Sequence, residues 1–284
     1  MMLPTLTKNI PIVDIQKKLD AIEDLPSIDS NLLELVKKTA GKNPDEIDID
    51  EVIAIIEKDI GLSAKVFQIA NSLYYSGRYA RFSSLRQALV RMGIPELVKV
   101  CTSIAAMQQF HALSNNIDLT AFWRHSIGVA RALKQVGGYA QKVDVDLEKG
   151  YIAGLFHDIG SLVLDNYFGP LYTEVVRMAT QQREYMYSVE YELLGMDHGE
   201  ISAYLLQRWG LDEEIVAATR NHHHPERSSM QHQGATQLLH ITDFASSALG
   251  AFEPGDVQPQ QCDIAAWDQL GIAEDAMDNI IEET

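Results

Sequence analysis

Tyr151-Ile152-Ala153-Gly154-Leu155-Phe156-His157-Asp158-Ile159-Gly160 sets an imidazole beside a carboxylate at the end of an apolar run. An unpaired carboxylate is costly in such surroundings, and a bound cation would let Asp158 stay ionised there. Imidazole plus carboxylate is also the donor mixture that suits Zn, Mn or Fe. One His-Asp pair is weak by itself, so the residues on either side decide what it means.

On both sides the apolar spacing is helical. Ile12, Ile15, Leu19 and Ile22 recur every three or four residues, as one helix face requires, and Pro26 interrupts the pattern. A second helix through Leu32, Leu33, Leu35 and Val36 stops near Gly41, with Pro44 beyond it. Asp50 is the expected cap of the next helix, which carries Val52, Ile53, Ile55 and Ile56. Another runs from Leu62 to Ala70. Ser83 or Ser84 caps a helix that Gly93 closes, and Pro95 fits the first turn of its successor. Past a junction at Asn115-Asn116, helices are expected at 119–136, 146–164, 170–183, 189–209, 212–222, 234–249 and 263–282. No strand-like alternation of useful length and no fixed-period repeat occurs. The expected fold is all-α, a two-lobed multi-helix bundle.

That frame carries His125, His198, His222, His223 and Asp243 in addition to His157 and Asp158. Singly, most have an ordinary role open to them. His125 suits a packed helix position, His198 follows Asp197 at a helix start, and the histidines before Pro225 suit the negative end of a helix. Asp243 is harder to place, because Ile241-Thr242 and Phe244-Ala245 form an apolar face around it. Together, five imidazoles and two carboxylates on separate helical segments match a metal site in a bundle core. Adjacent His222 and His223 stand about 100° apart on a helix, so both reach one site only where a helix end widens the angle. His232 and His240 show no comparable placement.

Composition narrows the function classes. The 284 residues, 46% hydrophobic and 8% aromatic, allow ample core for one large domain or two modest ones. The net charge of −17, from 40 acidic and 23 basic residues, repels phosphate backbones, and no Lys/Arg stripe is evident to offset it. Nucleic acid is therefore not an expected partner. No apolar run approaches the roughly 18–20 residues that span a bilayer, and Met1-Met2-Leu3-Pro4-Thr5 lacks a secretory layout. Cys101 and Cys262 lie far apart and suggest no disulfide framework. A cytoplasmic protein without a membrane partner is expected.

In order and spacing, His125, His157-Asp158, His198, His222-His223 and Asp243 resemble the HD superfamily of metal-dependent phosphohydrolases. The flanking segments resemble one branch of it, the HDOD domain. They include Leu25-Pro26-Ser27-Ile28, Ile56 to Leu62, Ile69-Ala70-Asn71-Ser72-Leu73-Tyr74-Tyr75, Ser84 to Leu89, Glu192 to His198 and Trp209-Gly210-Leu211. This resemblance implies an HDOD domain over residues 25–250, with an N-terminal helical lobe at 25–113 and an HD-like lobe at 118–250. Residues 1–24 would be a helical extension and 251–284 a tail with a helix.

The resemblance further implies a bacterial signalling or regulatory module whose seven His and Asp residues bind one or two divalent ions (Fe, Mn, Zn or Mg). Its alternative is an active phosphohydrolase acting on a nucleotide or other phosphoester, with Asp158 as the central catalytic carboxylate. Related HD-GYP cyclic-di-GMP hydrolases have Lys where Ser161 stands, and a Gly-Tyr-Pro loop where this chain reads His224-Pro225-Glu226. That departure argues against the same reaction here. Arg124 is a candidate phosphate clamp. Asn71, Tyr74, Tyr75, Arg78 and Arg81 form a candidate recognition segment for a signalling protein or a phosphate-containing small molecule.

Overall fold

Aspartates start most of the helices. Asp29 precedes the helix that begins at Ser30, and its carboxylate accepts from the backbone N–H groups of Asn31 and Leu32 at 2.8 and 3.2 Å. Asp48, Asp59, Asp118, Asp146 and Asp212 cap later helices in the same way. Each satisfies N–H groups that lack an intrahelical partner, which stabilises a helix by about 1 kcal/mol. Part of the chain's acidity is thus local structure.

The computed structural model describes residues 15–22, 25, 29–72, 75, 84–110, 116–248, 262–273 and 276, and among these there is no strand. The helices are α1 (Ile15–Ala21), α2 (Ser30–Thr39), α3 (Ile49–Glu57), α4 (Ile60–Ala70), α5 (Leu85–Met92) and α6 (Ile94–Phe110). They continue as α7 (Leu119–Tyr139), α8 (Leu147–Phe156), α9 (Ile159–Tyr167), α10 (Gly169–Gln182) and α11 (Met186–Leu194). The last are α12 (His198–Arg208), α13 (Glu213–Arg220), α14 (Gln233–Ala248) and α15 (Ile264–Leu270). The all-α architecture agrees with the expectation. No described helix is long and apolar enough to cross a membrane.

Two hydrophobic cores organise these helices. The smaller joins α2 to α6 through Leu35, Val52, Ile56, Leu62, Leu89 and Leu97. The larger is built on α7 to α14, with Phe122, Leu133, Leu155, Tyr172 and Leu206 at its centre. Each such fully buried side chain contributes about 1.5–3 kcal/mol. Ile15 and Leu19 of α1, and Leu32 and Val36 of α2, belong to the larger core, so these two helices pack in part on the second half of the chain. At the junction, the buried Asp165 carboxylate accepts from the Asn116 backbone N–H at 2.8 Å and its side-chain amide at 2.6 Å.

Four boundaries differ from expectation. Asp48, not Asp50, caps α3, and the Asp50 N–H donates to it at 2.9 Å. The expected 189–209 helix ends early at Gly195, whose φ of 74° is a left-handed stop. The expected 263–282 helix likewise closes at Gly271, with φ 71°. The 146–164 helix breaks at His157-Asp158, where Asp158 adopts φ −102° and ψ 2°. The last break matters most, because it turns both side chains toward the bundle interior.

Candidate metal centre

The break between α8 and α9 makes room for a close crossing with α12. A Cβ on Gly160 would stand 2.1 Å from the His198 carbonyl oxygen, so only glycine permits the approach. The Gly160 N–H donates to Ser202 Oγ at 2.7 Å, and Ser202 donates to that same His198 carbonyl at 2.8 Å. Gly199 plays a similar part on the far side: a Cβ there would meet the His222 ring at 2.9 Å. These two contacts bring three segments, and with them Asp158, His198 and His222, to one point.

All seven predicted His and Asp residues converge there. On one side, Asp158 Oδ2 lies 3.2 Å from His125 Nε2 and 2.9 Å from His157 Nε2. Asp243 Oδ1 lies 3.2 and 3.7 Å from the same two nitrogens, which are 3.2 Å apart. On the other side, Asp158 Oδ1 lies 3.5 Å from both His198 Nε2 and His222 Nε2. His223 Nε2 completes this half, 2.7 Å from His198 Nε2. Ligands bound about 2.0–2.1 Å from one ion stand about 3 Å from each other, so the spacing is that of a coordination shell. His222 and His223 follow the end of α13 in a turn, and this lets neighbouring residues face one site.

The outer ring nitrogens are anchored. His157 Nδ1 lies 2.8 Å from Gly154 O, His222 Nδ1 2.7 Å from Thr219 O, and His198 Nδ1 2.7 Å from Glu190 Oε2. In the neutral ring, donation through Nδ1 leaves each Nε2 as a lone pair aimed inward. Asp158 is 1% exposed, yet its Oδ1 has no hydrogen-bond partner, and His222 Nε2 also has none. Buried polar atoms are rarely left so. A divalent cation fits this donor set, with one position among His125, His157 and Asp243 and a second among His198, His222 and His223.

Protons answer the same need on one side. Burial disfavours charge on His157, but Asp158 and Asp243 outweigh it and lift the ring to about 9. The same carboxylates raise His125 well above its ordinary value against the same burial. Asp158 and Asp243 are held well below the usual carboxylate range, because the neighbouring imidazoles outweigh their burial. Burial, reinforced by nearby rings, pushes His222 down to about 3 and His223 well below its usual value.

Two features escaped the sequence reading. Glu190, fully buried, accepts from the His198 backbone N–H at 2.9 Å as well as from its ring. Nothing in the linear pattern marks it, since it sits eight residues before His198 within an ordinary helix. Tyr187 stacks on His223 with centroids 4.3 Å apart, and Tyr185 stacks on Tyr187 at 5.4 Å. His223, the one partly exposed member of the seven, therefore lies beneath an aromatic pair. His240 is buried away from the cluster, bridging His222 O at 2.7 Å and the Asp263 N–H at 2.9 Å.

The other candidate residues lie elsewhere. Arg124 is exposed on α7 beside the buried His125, and Tyr75 bonds Glu96 at 2.5 Å. Asn71 caps the end of α4, donating to Phe67 O at 3.0 Å. Tyr74, Arg78 and Arg81 fall outside the described residues.

The profile of the HDOD domain matches residues 25–225. The chain belongs to the HDOD family. An HDOD domain protein with unknown function from Geobacter sulfurreducens is 24% identical, with TM-score 0.80 over 94% of this chain and 91% of that one. A Marinobacter aquaeolei VT8 protein, provisionally named for signal transduction, is 20% identical with TM-score 0.78, over 95% and 58% of the two chains. A provisionally named phosphohydrolase from Shewanella amazonensis SB2B is also 20% identical, with TM-score 0.70 over 95% and 93%. These likenesses show a shared HDOD fold. An uncharacterized Treponema pallidum protein is 26% identical over 237 residues, which are 81% of this chain and 43% of that relative's length. This HDOD chain thus spans less than half of that relative.

Proposed function

We propose that this chain is a regulatory HDOD module whose buried His/Asp cluster holds divalent metal, with Asp158 shared between two positions. One observation carries the reading: the buried Asp158 has one oxygen, Oδ1, without a hydrogen-bond partner, and its two oxygens face different pairs of imidazoles. An ionised group so placed carries a desolvation penalty of several kcal/mol unless a counter-charge meets it. When bound, divalent ions would supply that charge and could polarise a phosphoryl oxygen that reached them. The imidazole-rich set suits Zn, Mn or Fe better than Mg, which prefers oxygen donors and retained water.

The chain's own residues set what the site can do. His157, His198 and His222 are oriented through Nδ1, with Glu190 accepting from the His198 ring. Burial of six of the seven ligands, with Tyr187 across the seventh, leaves little open surface for a substrate. Ser161, buried on α9, offers no cation for a phosphate. These features favour metal held for regulation over turnover. The test is elemental analysis of untagged protein purified without chelator. Divalent metal is expected in the wild type and almost none in Asp158→Ala. Wild-type protein without metal, and an Asp158→Ala variant of unchanged stability, would overturn the reading.

The second reading is a metal-dependent phosphohydrolase acting on a nucleotide or other phosphoester. The bridging position of Asp158 favours it, since paired ions can support both the attacking and the leaving oxygen. Turnover of a chromogenic aryl phosphodiester, lost in Asp158→Ala, would support this reading. Absence of turnover in fully loaded protein would remove it.

A further inference from the structure

A cleft of about 1460 Å³ runs between α6 and α7, and none of the seven cluster residues is among its described lining residues. Arg124 and His125 are neighbours about 100° apart around α7. One helix thus presents His125 to the cluster and Arg124 to the cleft. Apolar side chains, including Ile69, Val100, Ile104, Met107 and Ile127, line part of the cleft. Lys99, Arg124, Arg131 and Lys134 bring positive charge to it, and Glu96 is the one acid among the described lining residues.

In a chain with net charge −17, four cations against one acid is a local inversion. Part of that charge is already engaged. Lys99 pairs with Glu148 at 3.1 Å, and Arg131 lies 3.6 Å from Glu96. Arg124 and Lys134 are exposed and have no ion pair among the described residues. Lys99 lies on α6, while Arg124, Arg131 and Lys134 lie along α7 with apolar residues between them.

We propose that this cleft is the docking site for an acidic amphipathic helix of a partner protein. The lining positions on α7 run from Leu119 to Gln135, about 24 Å at the helical rise of about 1.5 Å per residue. Arg124, Arg131 and Lys134 are spread along about 15 Å of that length. A single phosphate spans too little to meet them all, whereas carboxylates one and two turns apart on a helix can. The volume exceeds the roughly 300–1,000 Å³ of ordinary small-molecule pockets. The mixed lining matches a helix with one apolar face and acidic flanks, the groove-binding mode of amphipathic segments.

The probe is a fluorescein-labelled helical peptide of about 16 residues, with Leu at i, i+3, i+4 and i+7 positions and Glu elsewhere. A second peptide carries Lys in place of Glu, and tripolyphosphate serves as a small anion. Anisotropy should report saturable binding of the acidic peptide that weakens with salt. Arg124→Glu and Lys134→Glu, both at exposed positions, should each weaken it about tenfold with the helical circular dichroism spectrum unchanged. Carbodiimide coupling should join peptide carboxylates to Lys99 or Lys134, as read by mass spectrometry. Equal binding of the two peptides, or full binding by both variants, would overturn the proposal. So would tripolyphosphate binding that depends on Arg124 without peptide binding, which would make the cleft a phosphate site.

Discussion

Glu190 grips His198 twice, accepting its backbone N–H at 2.9 Å and its ring Nδ1–H at 2.7 Å through one oxygen. The contact locks the ring tautomer and aims Nε2 at Asp158. Glu190→Leu removes this orientation and charge but keeps the buried volume similar. Metal affinity at the His198 side should drop about 10–100-fold, the usual effect of losing an outer carboxylate partner. Competition with a chromophoric chelator measures this. Unchanged affinity would mean that Glu190 only seals the helix start.

The two halves of the cluster should come apart in stoichiometry. Among the candidate ligand groups, His223 falls in the one with His198 and His222, and it is the partly exposed ligand of the seven. His223→Ala should therefore lower metal content by one ion in a two-ion protein, with little loss from the side of His125, His157 and Asp243. Asp158→Asn should empty both halves. If His223→Ala and Asp158→Asn lose the same amount of metal, the halves are not separate positions.

The helical class and most of the cluster were legible because periodicity and residue chemistry are local properties. Asp243 stood out on an apolar face, and His157-Asp158 stood out against Tyr151 to Phe156. The break between α8 and α9 was not legible. Its apolar run continues without proline through 159–164, and the turn is held by the distant Ser202 and His198. Glu190 and the cleft cations were hidden for the same reason, since their meaning depends on partners from other helices.

Gly160 should be intolerant of any side chain. A methyl group there would lie 2.1 Å from the His198 carbonyl oxygen, a backbone atom that cannot rotate away. Gly160→Ala should destabilise the fold by about 1–3 kcal/mol or more, the range for overpacking a tight core. Denaturant unfolding of metal-free protein measures the structural part. The separation of Asp158 from His198 should also grow, so metal affinity should fall beyond what stability explains. A variant with wild-type stability would show that α9 and α12 can slide apart freely.

Protons should compete with metal at the His125 side of Asp158. Ligand imidazoles must be neutral to bind a cation. In metal-free protein near neutral pH, His157 with its value near 9, and His125, raised well above its ordinary value, carry protons that an ion must displace. His222, pushed down to about 3, and His223 carry none to release. The sign follows: affinity at the His125 side rises with pH toward about 9, while His222 and His223 add no pH dependence of their own on the other side. Calorimetry between about pH 6 and pH 8, in buffers of different ionisation enthalpy, reads both the affinity and the protons released. His223→Ala, which retains the His125 side, should still release protons on loading. Loading without proton release in that variant would mean that His125 and His157 are already neutral, and the assigned charge state would be wrong.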